Sequence, residues 1–326
     1  MRRNFWTGSV LKPALWAVFI LTMALAAPMP ASAQQAAPAD EAALLQQLQG
    51  GPVTGRVSIP DAKSAVLIQP QGREWRDTLN GPVKSAGGWL LVLTVVGLAV
   101  FLAVRGRIKV EHGLSGRTME RFSGTERFAH WLTAICFIVL GLSGLNLSFG
   151  RSLIMPLIGP EAFASLTQFG KLAHNFLSFP FVLGVLLMAV LWIRHNIFNA
   201  VDIEWLRQGG GLLRKGVHPP AGKFNGGQKV LFWLVVLGTI ALAVSGYILM
   251  FPFYVTDIAG MQTAQIVHAV AGMVMVAVIL GHIYIGTVGM EGAFDAMGSG
   301  QVDVNWAREH HSLWVRDAQA RGGGDD

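Results

Sequence analysis

Five long runs of uncharged, apolar residues constrain the fold of this chain more than any other feature of its sequence. A helix that crosses the ~30 Å hydrocarbon core of a bilayer needs about 20 such residues, so each run is long enough, or nearly so, to span a membrane. Because 52% of the residues are hydrophobic and only 13% are charged, we predict an all-α, polytopic membrane protein. The runs lie at about 88–104, 129–148, 174–193, 230–251 and 264–289.

The first 33 residues have the composition of an export signal. We predict cleavage after Ala33, with an uncleaved anchor as the alternative, since the apolar stretch is short for a membrane span. Residues 34–86 are then predicted to form an arm in the periplasm. The parts of the signal are basic Arg2, Arg3 and Lys12, the apolar stretch 14–27, and the cleavage motif Ala31-Ser32-Ala33.

The distribution of Lys and Arg orients the five predicted spans. These residues are concentrated in 105–127 and 194–229, whereas the loop 149–173 has only two and the loop 252–263 has none. Because cytoplasmic loops carry the excess of basic residues, we predict a bacterial inner-membrane protein with its C-terminus in the cytoplasm. The predicted parts are signal peptide 1–33, periplasmic arm 34–86, extra transmembrane helix 87–105, cytoplasmic loop 106–127, four-helix core 128–290 and cytoplasmic tail 291–326.

Four histidines, His130, His174, His268 and His282, stand inside or at the edge of the apolar runs. His268 and His282 share the last run, 14 residues apart, which places both on nearly one face of a helix and ~21 Å apart in depth. On the predicted topology His282 lies at the depth of His130, and His268 lies at the depth of His174. Since neutral imidazole is a common axial ligand of haem iron, the depths predict two haems at two levels of the membrane.

Each predicted pair comes from two different helices, which is how a helix bundle holds a haem between facing side chains. The chain has a single cysteine, Cys136, and so has neither a CxxCH attachment for covalent haem nor the ligands of an iron–sulfur cluster. Any haem is therefore predicted to be b-type. The fold class that follows is a four-helix transmembrane dihaem cytochrome b core, preceded by an extra helix and a cleaved signal peptide.

Other interpretations of these residues compete with haem binding. The four histidines can instead be packing residues that hydrogen-bond across helices, or belong to a transporter, but their spans contain no Asp, Glu, Lys or Arg for an ion relay. The net charge of +6 does not indicate nucleic acid, because the basic residues lie in short loops between apolar runs. His112, His218, His310 and His311 lie in polar segments and are predicted to be solvated. Gly141, Gly144, Gly184, Gly272 and Gly281 are predicted either to leave room for porphyrin faces or to be ordinary helix contacts.

Residues about 117–317 resemble the gamma subunit, the cytochrome b556 subunit, of the membrane-bound respiratory formate dehydrogenases. Six short motifs spread over some 200 residues carry the resemblance, which makes it more specific than a count of histidines. The motifs are Phe128-Ala129-His130-Trp131, Lys171-Leu172-Ala173-His174, Lys223-Phe224-Asn225-Gly226-Gly227-Gln228-Lys229, His268-Ala269-Val270-Ala271-Gly272, His282-Ile283-Tyr284 and Trp306-Ala307-Arg308-Glu309-His310-His311.

The resemblance implies two b haems, ligated by His174 with His268 and by His130 with His282, which are the pairs predicted from depth. It also implies electron transfer from a periplasmic iron–sulfur (beta) subunit, beside a molybdenum or tungsten catalytic (alpha) subunit, to quinone in the membrane. The chain itself would carry out no formate chemistry. The alternative is the similar cytochrome b subunit of a nickel–iron hydrogenase or of a thiosulfate or polysulfide reductase.

Asn225 and Gln228 are the predicted quinone ligands. They precede the fourth span of the mature chain on the predicted cytoplasmic side, near the His130 and His282 level, and their amides can donate to a quinone carbonyl. The alternative is that Asn225-Gly226-Gly227 is only a turn and that Lys229 is an interfacial anchor.

Overall fold

The structure is a computed structural model that describes residues 72–322, except Leu213 and Lys215. The predicted signal peptide and residues 34–71 of the predicted arm therefore lie outside the described residues.

Helices make up most of the described chain. They are α1 (Gly72–Thr78), α2 (Lys84–Arg105), α3 (Gly124–Leu153), α4 (Met155–Ile158), α5 (Pro160–Trp192), α6 (Ala200–Arg207), α7 (Gly226–Met250), α8 (Ile258–Tyr284), α9 (Asp295–Gly298), α10 (Val304–His310) and α11 (Ser312–Gly322). Two π turns, Leu79–Val83 and Ile285–Gly289, and two 3-10 turns, Ile193–His195 and Gly209–Gly211, extend or connect them. Strands β1 (Thr118–Glu120) and β2 (Gln301–Asp303) pair antiparallel, with Met119 opposite Val302.

All five predicted membrane spans are helices of sufficient length and apolar character. They occupy Glu74–Arg105, Gly124–Leu153, Pro160–His195, Gly226–Met250 and Ile258–Gly289. The prediction of a multi-span, helical protein is therefore confirmed for the described residues, and we treat the chain as an integral membrane protein.

The first of these helices begins well before its apolar run. Helix α1 starts at Gly72, inside the segment predicted to be an arm, and joins α2 through the π turn Leu79–Val83. That turn contains Pro82, which has no amide hydrogen to donate, and the helix widens there. Hydropathy alone did not predict this part of the helix, because its residues are polar.

The chain divides into two compact units. Among the described residues, one consists of 72–82 together with 244–267, and the other of 83–243 together with 268–322. In the first unit, among its described residues, Gln262 is buried at 6% exposure on the first turns of α8. The second unit contains all four histidines of the predicted pairs, and the contacts described below lie within it.

Small residues allow close helix contacts in the second unit. A Cβ atom at Gly184 of α5 would lie 2.4 Å from the hydroxyl of Thr133 and 3.1 Å from its backbone nitrogen on α3, so any side chain there would force the two helices apart. Gly141 of α3 faces Val276 of α8 at an ordinary contact distance of 3.6 Å. Of the glycines considered above, Gly184 is thus a helix contact, the second of the two predicted roles.

A polar cap joins the ends of the helices outside the membrane. We define the cap as residues 106–123 together with 290–322. Strand pairing of β1 with β2 holds its two segments together, and the backbone nitrogen of Ile108 donates to the carbonyl of Gly289 at 2.8 Å. Glu309 accepts from the backbone nitrogens of Glu111 and His112 at 3.0 and 3.1 Å, which fixes the first segment against α10.

Arg121 lies at the centre of this cap and is only 4% exposed. Its guanidinium donates to the carbonyl of Lys223 at 2.7 Å and to Nε2 of His311 at 2.9 Å. It also stands 5.0 to 5.4 Å from three aromatic rings, at cation–π distance. Burial lowers the pKa of Arg121 to about 9, with Glu126 acting in the opposite direction. The rings are those of Phe122, Trp306 and Trp314.

The prediction that His310 and His311 are solvated is wrong. His311 is 1% exposed, and its Nδ1 donates to the carbonyl of Gly222 at 2.7 Å, which leaves Nε2 as the acceptor for Arg121. His310 packs its ring against Trp306 and against the ring of His218. Both lie in a polar sequence, but the aromatic side chains of the cap fold over them. Burial lowers the pKa of both rings, that of His310 to about 4.

The stability of the cap should depend on pH through His310. In the unfolded chain a histidine titrates near about 6.5. In the folded cap its pKa is about 4, so the unfolded state binds one more proton between these values and folding is weakened as the pH falls through them. One pKa unit corresponds to about 1.4 kcal/mol, so for a ring that is only partly buried we expect a loss on the order of 2 kcal/mol.

Thermal melting of the purified protein, followed by tryptophan fluorescence at about pH 7.5 and about pH 5, measures this loss. His310→Gln cannot take up the proton and should reduce the difference between the two melts. Gln319→Ala, at an exposed position of α11, is the control and should keep the full difference. Equal differences in the wild type and the His310→Gln variant would contradict the assignment.

Candidate haem-binding site

His174 of α5 and His268 of α8 face each other in the second unit. Their ring centroids are 6.1 Å apart and the ring planes are inclined by 64°. Nδ1 of His174 lies 2.9 Å from the hydroxyl oxygen of Ser143 on α3, so three helices meet at this pair. A Cβ atom built at Gly144 would lie 3.5 Å from the His174 ring, and this glycine therefore borders the pair.

His130 of α3 and His282 of α8 form a second pair with nearly the same geometry. Their ring centroids are 6.0 Å apart and the ring planes are again inclined by 64°. Nδ1 of His130 is buried and has no hydrogen-bond partner among the described residues. Trp131 packs edge-on against His130, and its indole nitrogen donates to the carbonyl of Met297 at 2.9 Å, which ties this end of α3 to the cap.

The spacing of both pairs fits a single metal ion between two imidazoles. A metal–nitrogen bond of about 2.0 Å on each side, with about 1 Å from each nitrogen to its ring centre, gives a centroid separation of about 6 Å. The measured separations of 6.0 and 6.1 Å agree with that value. The interpretation as packing histidines that hydrogen-bond across helices does not account for His130, whose buried Nδ1 has no hydrogen-bond partner among the described residues. The residues present therefore fit bis-histidine haem b.

The carboxylate of Glu126 holds the helix ends near the His130 pair. Ser123 and Glu126 form a reciprocal capping box at the start of α3, one turn before His130. Glu126 also accepts from Lys223 at 2.6 Å and from the indole nitrogen of Trp192 at 2.9 Å. The loop that contains Lys223 is thereby fixed beside the first turn of α3, and so is the end of α5.

Asn225 and Gln228, the predicted quinone ligands, bond to each other. The side-chain oxygen of Gln228 accepts from the backbone nitrogen of Asn225 at 3.0 Å, and the oxygen of Asn225 accepts from the backbone nitrogen of Gln228 at 2.9 Å. This is a capping box at the start of α7. Both amide oxygens thus have a structural role, and only the amide nitrogens remain for the predicted donation to a ligand.

Lys229 is a buried partner in an ion pair and not the interfacial anchor considered as an alternative. Its ammonium lies 2.7 Å from a carboxylate oxygen of Asp202 and also donates to the carbonyl of Ile197 at 3.0 Å. Asp202 in turn closes a capping box with Asn199 at the start of α6. No sequence pattern indicated this pair, because its members are separated by a loop and are buried only by the fold.

A family model described as prokaryotic cytochrome b561 matches residues 121–300, more than half of the chain. The chain belongs to the prokaryotic cytochrome b561 family. All six predicted site residues lie inside the matched range. Membership in a cytochrome b family implies a haem b cofactor, which agrees with the donor set of the two pairs.

Relatives of this cytochrome b561 family member carry the name predicted from the sequence motifs. The chain is 29% identical over 205 residues to the cytochrome b556(fdo) subunit of formate dehydrogenase from Escherichia coli K12, covering 62% of this chain and 94% of that protein. It is 30% identical over 199 residues to the nitrate-inducible cytochrome b556(Fdn) subunit of the same organism, covering 60% and 88%. The subunit from Haemophilus influenzae is 29% identical over 201 residues, covering 59% and 79%. The predicted resemblance is confirmed.

Proposed function

We propose that this chain is the dihaem cytochrome b subunit of a membrane-bound formate dehydrogenase, and that it passes electrons from an iron–sulfur subunit to membrane quinone. The observation that carries the proposal is the presence of two interhelical histidine pairs, each separated by about 6 Å, in a chain of the cytochrome b561 family. The names of the relatives support formate as the source of the electrons.

The four histidines would hold the haem iron, His174 with His268 and His130 with His282. A haem b held between two imidazoles supplies a one-electron couple that needs no proton. His268 and His282 lie 14 residues apart on α8, so the two pairs are separated by ~21 Å along one helix axis. The residues of this chain therefore hold two redox centres at two depths and leave the catalytic chemistry to partner subunits.

The alternative donors, a nickel–iron hydrogenase or a thiosulfate or polysulfide reductase, share this kind of cytochrome. Neither is favoured, because the relatives described above are formate dehydrogenase subunits. A molybdenum or tungsten catalytic subunit and an iron–sulfur subunit are the proposed partners, and the identities of the proteins that co-purify with this chain distinguish the three donors.

We expect the purified wild-type chain to contain two haem b per polypeptide. His174→Ala or His268→Ala should lose one haem, and His130→Ala or His282→Ala should lose the other, because a missing imidazole removes one of two axial ligands. A pyridine haemochrome assay gives the count. His112→Ala, at an exposed ring, is the control and should keep both haems. Fewer than two haems in the wild type would refute the dihaem assignment.

Quinone is proposed to be reduced beside the His130 and His282 pair. The salt bridge from Lys223 to Glu126 supports this location, because it fixes the Asn225 loop next to the first turn of the helix that carries His130. Reduction of a quinone to a quinol takes two electrons and two protons. The amide nitrogens of Asn225 and Gln228 are proposed to donate to a quinone carbonyl while their oxygens cap α7.

Variants that preserve the capping box of α7 separate the capping role of Asn225 and Gln228 from their proposed role as donors to quinone. Asn225→Asp and Gln228→Glu keep the accepting oxygens but remove the donating amide nitrogens, whereas Asn225→Leu and Gln228→Leu remove both. We expect all four proteins to bind both haems and to be reduced by formate in the complex. We also expect all four to be reoxidised by quinone more slowly than the wild type, in stopped-flow measurements of haem absorbance.

The variants Asn225→Asp and Gln228→Glu, which keep the capping box, decide between the two roles. If Asn225→Asp and Gln228→Glu turn over quinone normally while the leucine variants do not, the segment is a helix cap and the donor role is wrong.

The proposed topology puts the N-terminal arm in the periplasm and the C-terminal tail in the cytoplasm of the inner membrane. In a Cys136→Ala background, a cysteine at exposed Ser152 should react with a membrane-impermeant thiol reagent in intact spheroplasts. A cysteine at exposed Gln319 should react only after the membrane is opened. Reaction of both positions from the same side would contradict the proposed orientation.

A further inference from the structure

His174 hydrogen-bonds two groups of α3, the hydroxyl of Ser143 and the backbone of Leu140. Its hydroxyl oxygen is 2.6 Å from the carbonyl of Val139, one turn earlier in α3, and 2.9 Å from Nδ1 of His174. A hydroxyl has one hydrogen, which the carbonyl can only accept, so the hydroxyl oxygen must accept the hydrogen of Nδ1. Ser143 is 7% exposed, so water does not compete for this bond. The lone pair of His174 is thereby left on Nε2.

The other ring of this pair also has an acceptor. His268 hydrogen-bonds the backbone of Leu242 on the adjacent helix α7. Both rings of the His174 and His268 pair therefore donate a hydrogen bond from the nitrogen that is not available as a ligand. Such a bond makes an imidazole a more basic ligand and fixes its orientation.

The His130 and His282 pair lacks this support. Nδ1 of His130 is buried with no partner among the described residues, and His282 contacts the His130 ring. The two pairs have nearly the same ring separation and inclination, so the hydrogen bonds at the distal nitrogens are what distinguishes them.

We propose that Ser143 is a positioning residue that lowers the reduction potential at the His174 and His268 pair, so that electrons move downhill to the His130 and His282 pair. More basic imidazoles stabilise the ferric state, and the pair whose rings donate hydrogen bonds is therefore harder to reduce. This inference rests on the proposed function, since it requires haem at both pairs. What it adds is the side chain that sets the order of the two potentials.

Redox titration of the purified wild-type chain, followed by haem absorbance, tests the order of the two potentials. The His174→Ala variant identifies which of the two transitions belongs to its pair. Ser143→Ala should make that haem easier to reduce, by several-fold in the reduction equilibrium, where a tenfold change corresponds to about 59 mV. The other haem should not change. Ser143→Thr keeps the hydroxyl and should restore the wild-type value.

Thr133→Val is the matched control. Thr133 lies on the same helix, and its hydroxyl also bonds to the carbonyl one turn earlier, that of Ala129 at 2.9 Å, but it does not touch a histidine. The electron paramagnetic resonance spectrum of the oxidised protein should change for one haem in Ser143→Ala and for neither in Thr133→Val. Neither the reduction potential nor the resonance spectrum depends on turnover. A loss of packing alone would not change these two properties for one haem and leave the other haem unchanged.

Three results would overturn the inference. They are equal potentials in the wild type and Ser143→Ala, an equal shift in Thr133→Val, or a higher potential at the His174 and His268 pair than at the other pair. A wild-type chain with fewer than two haems would instead overturn the proposed function, and this inference with it.

Discussion

Two imidazoles from different helices must be held about 6 Å apart in an apolar interior, and the rest of the structure depends on meeting that requirement twice. At one of the pairs, hydrogen bonds from His174 to Ser143 on α3 and from His268 to Leu242 on α7 help to hold the rings. Helix α8 supplies one histidine to each pair, and α3 and α5 supply the others. The relative positions of three helices are therefore fixed at two levels.

Close helix contacts at glycines and the hydrogen bonds of Glu126 help to hold the histidine pairs at this separation. Gly184 lets α5 approach the backbone of α3 at Thr133, three residues after His130, and Gly141 meets α8 at Val276 between the two pairs. Outside the apolar segments, the Glu126 carboxylate binds Lys223 and the indole of Trp192, which joins three chain segments at the start of α3. Packing sets the distances inside the membrane, and charged groups hold the helix ends outside it.

Hydropathy predicted the five spans, and helical period predicted which histidines face each other, because both depend on local sequence. The start of the first helix at Gly72 escaped prediction, since a polar stretch with Gly81 and Pro82 resembles a loop. The capping box of Asn225 and Gln228 was predictable, because their spacing of three residues is the signature of that motif. The burial of His311 was not, since its partner Arg121 lies 190 residues away in the chain.

The contacts of Arg121 join segments of the chain that are synthesised at different times. The guanidinium is bound by the carbonyl of Lys223 and by His311, and its aromatic neighbours include Trp306 and Trp314 from the end of the chain. During synthesis Arg121 leaves the ribosome long before those last partners exist. The segment that leads into α3 and His130 therefore receives its final support only after residues 306–314 have been synthesised. A chain that stops before residue 306 would contain all four paired histidines but would leave Arg121 without the aromatic rings and the histidine that bury it.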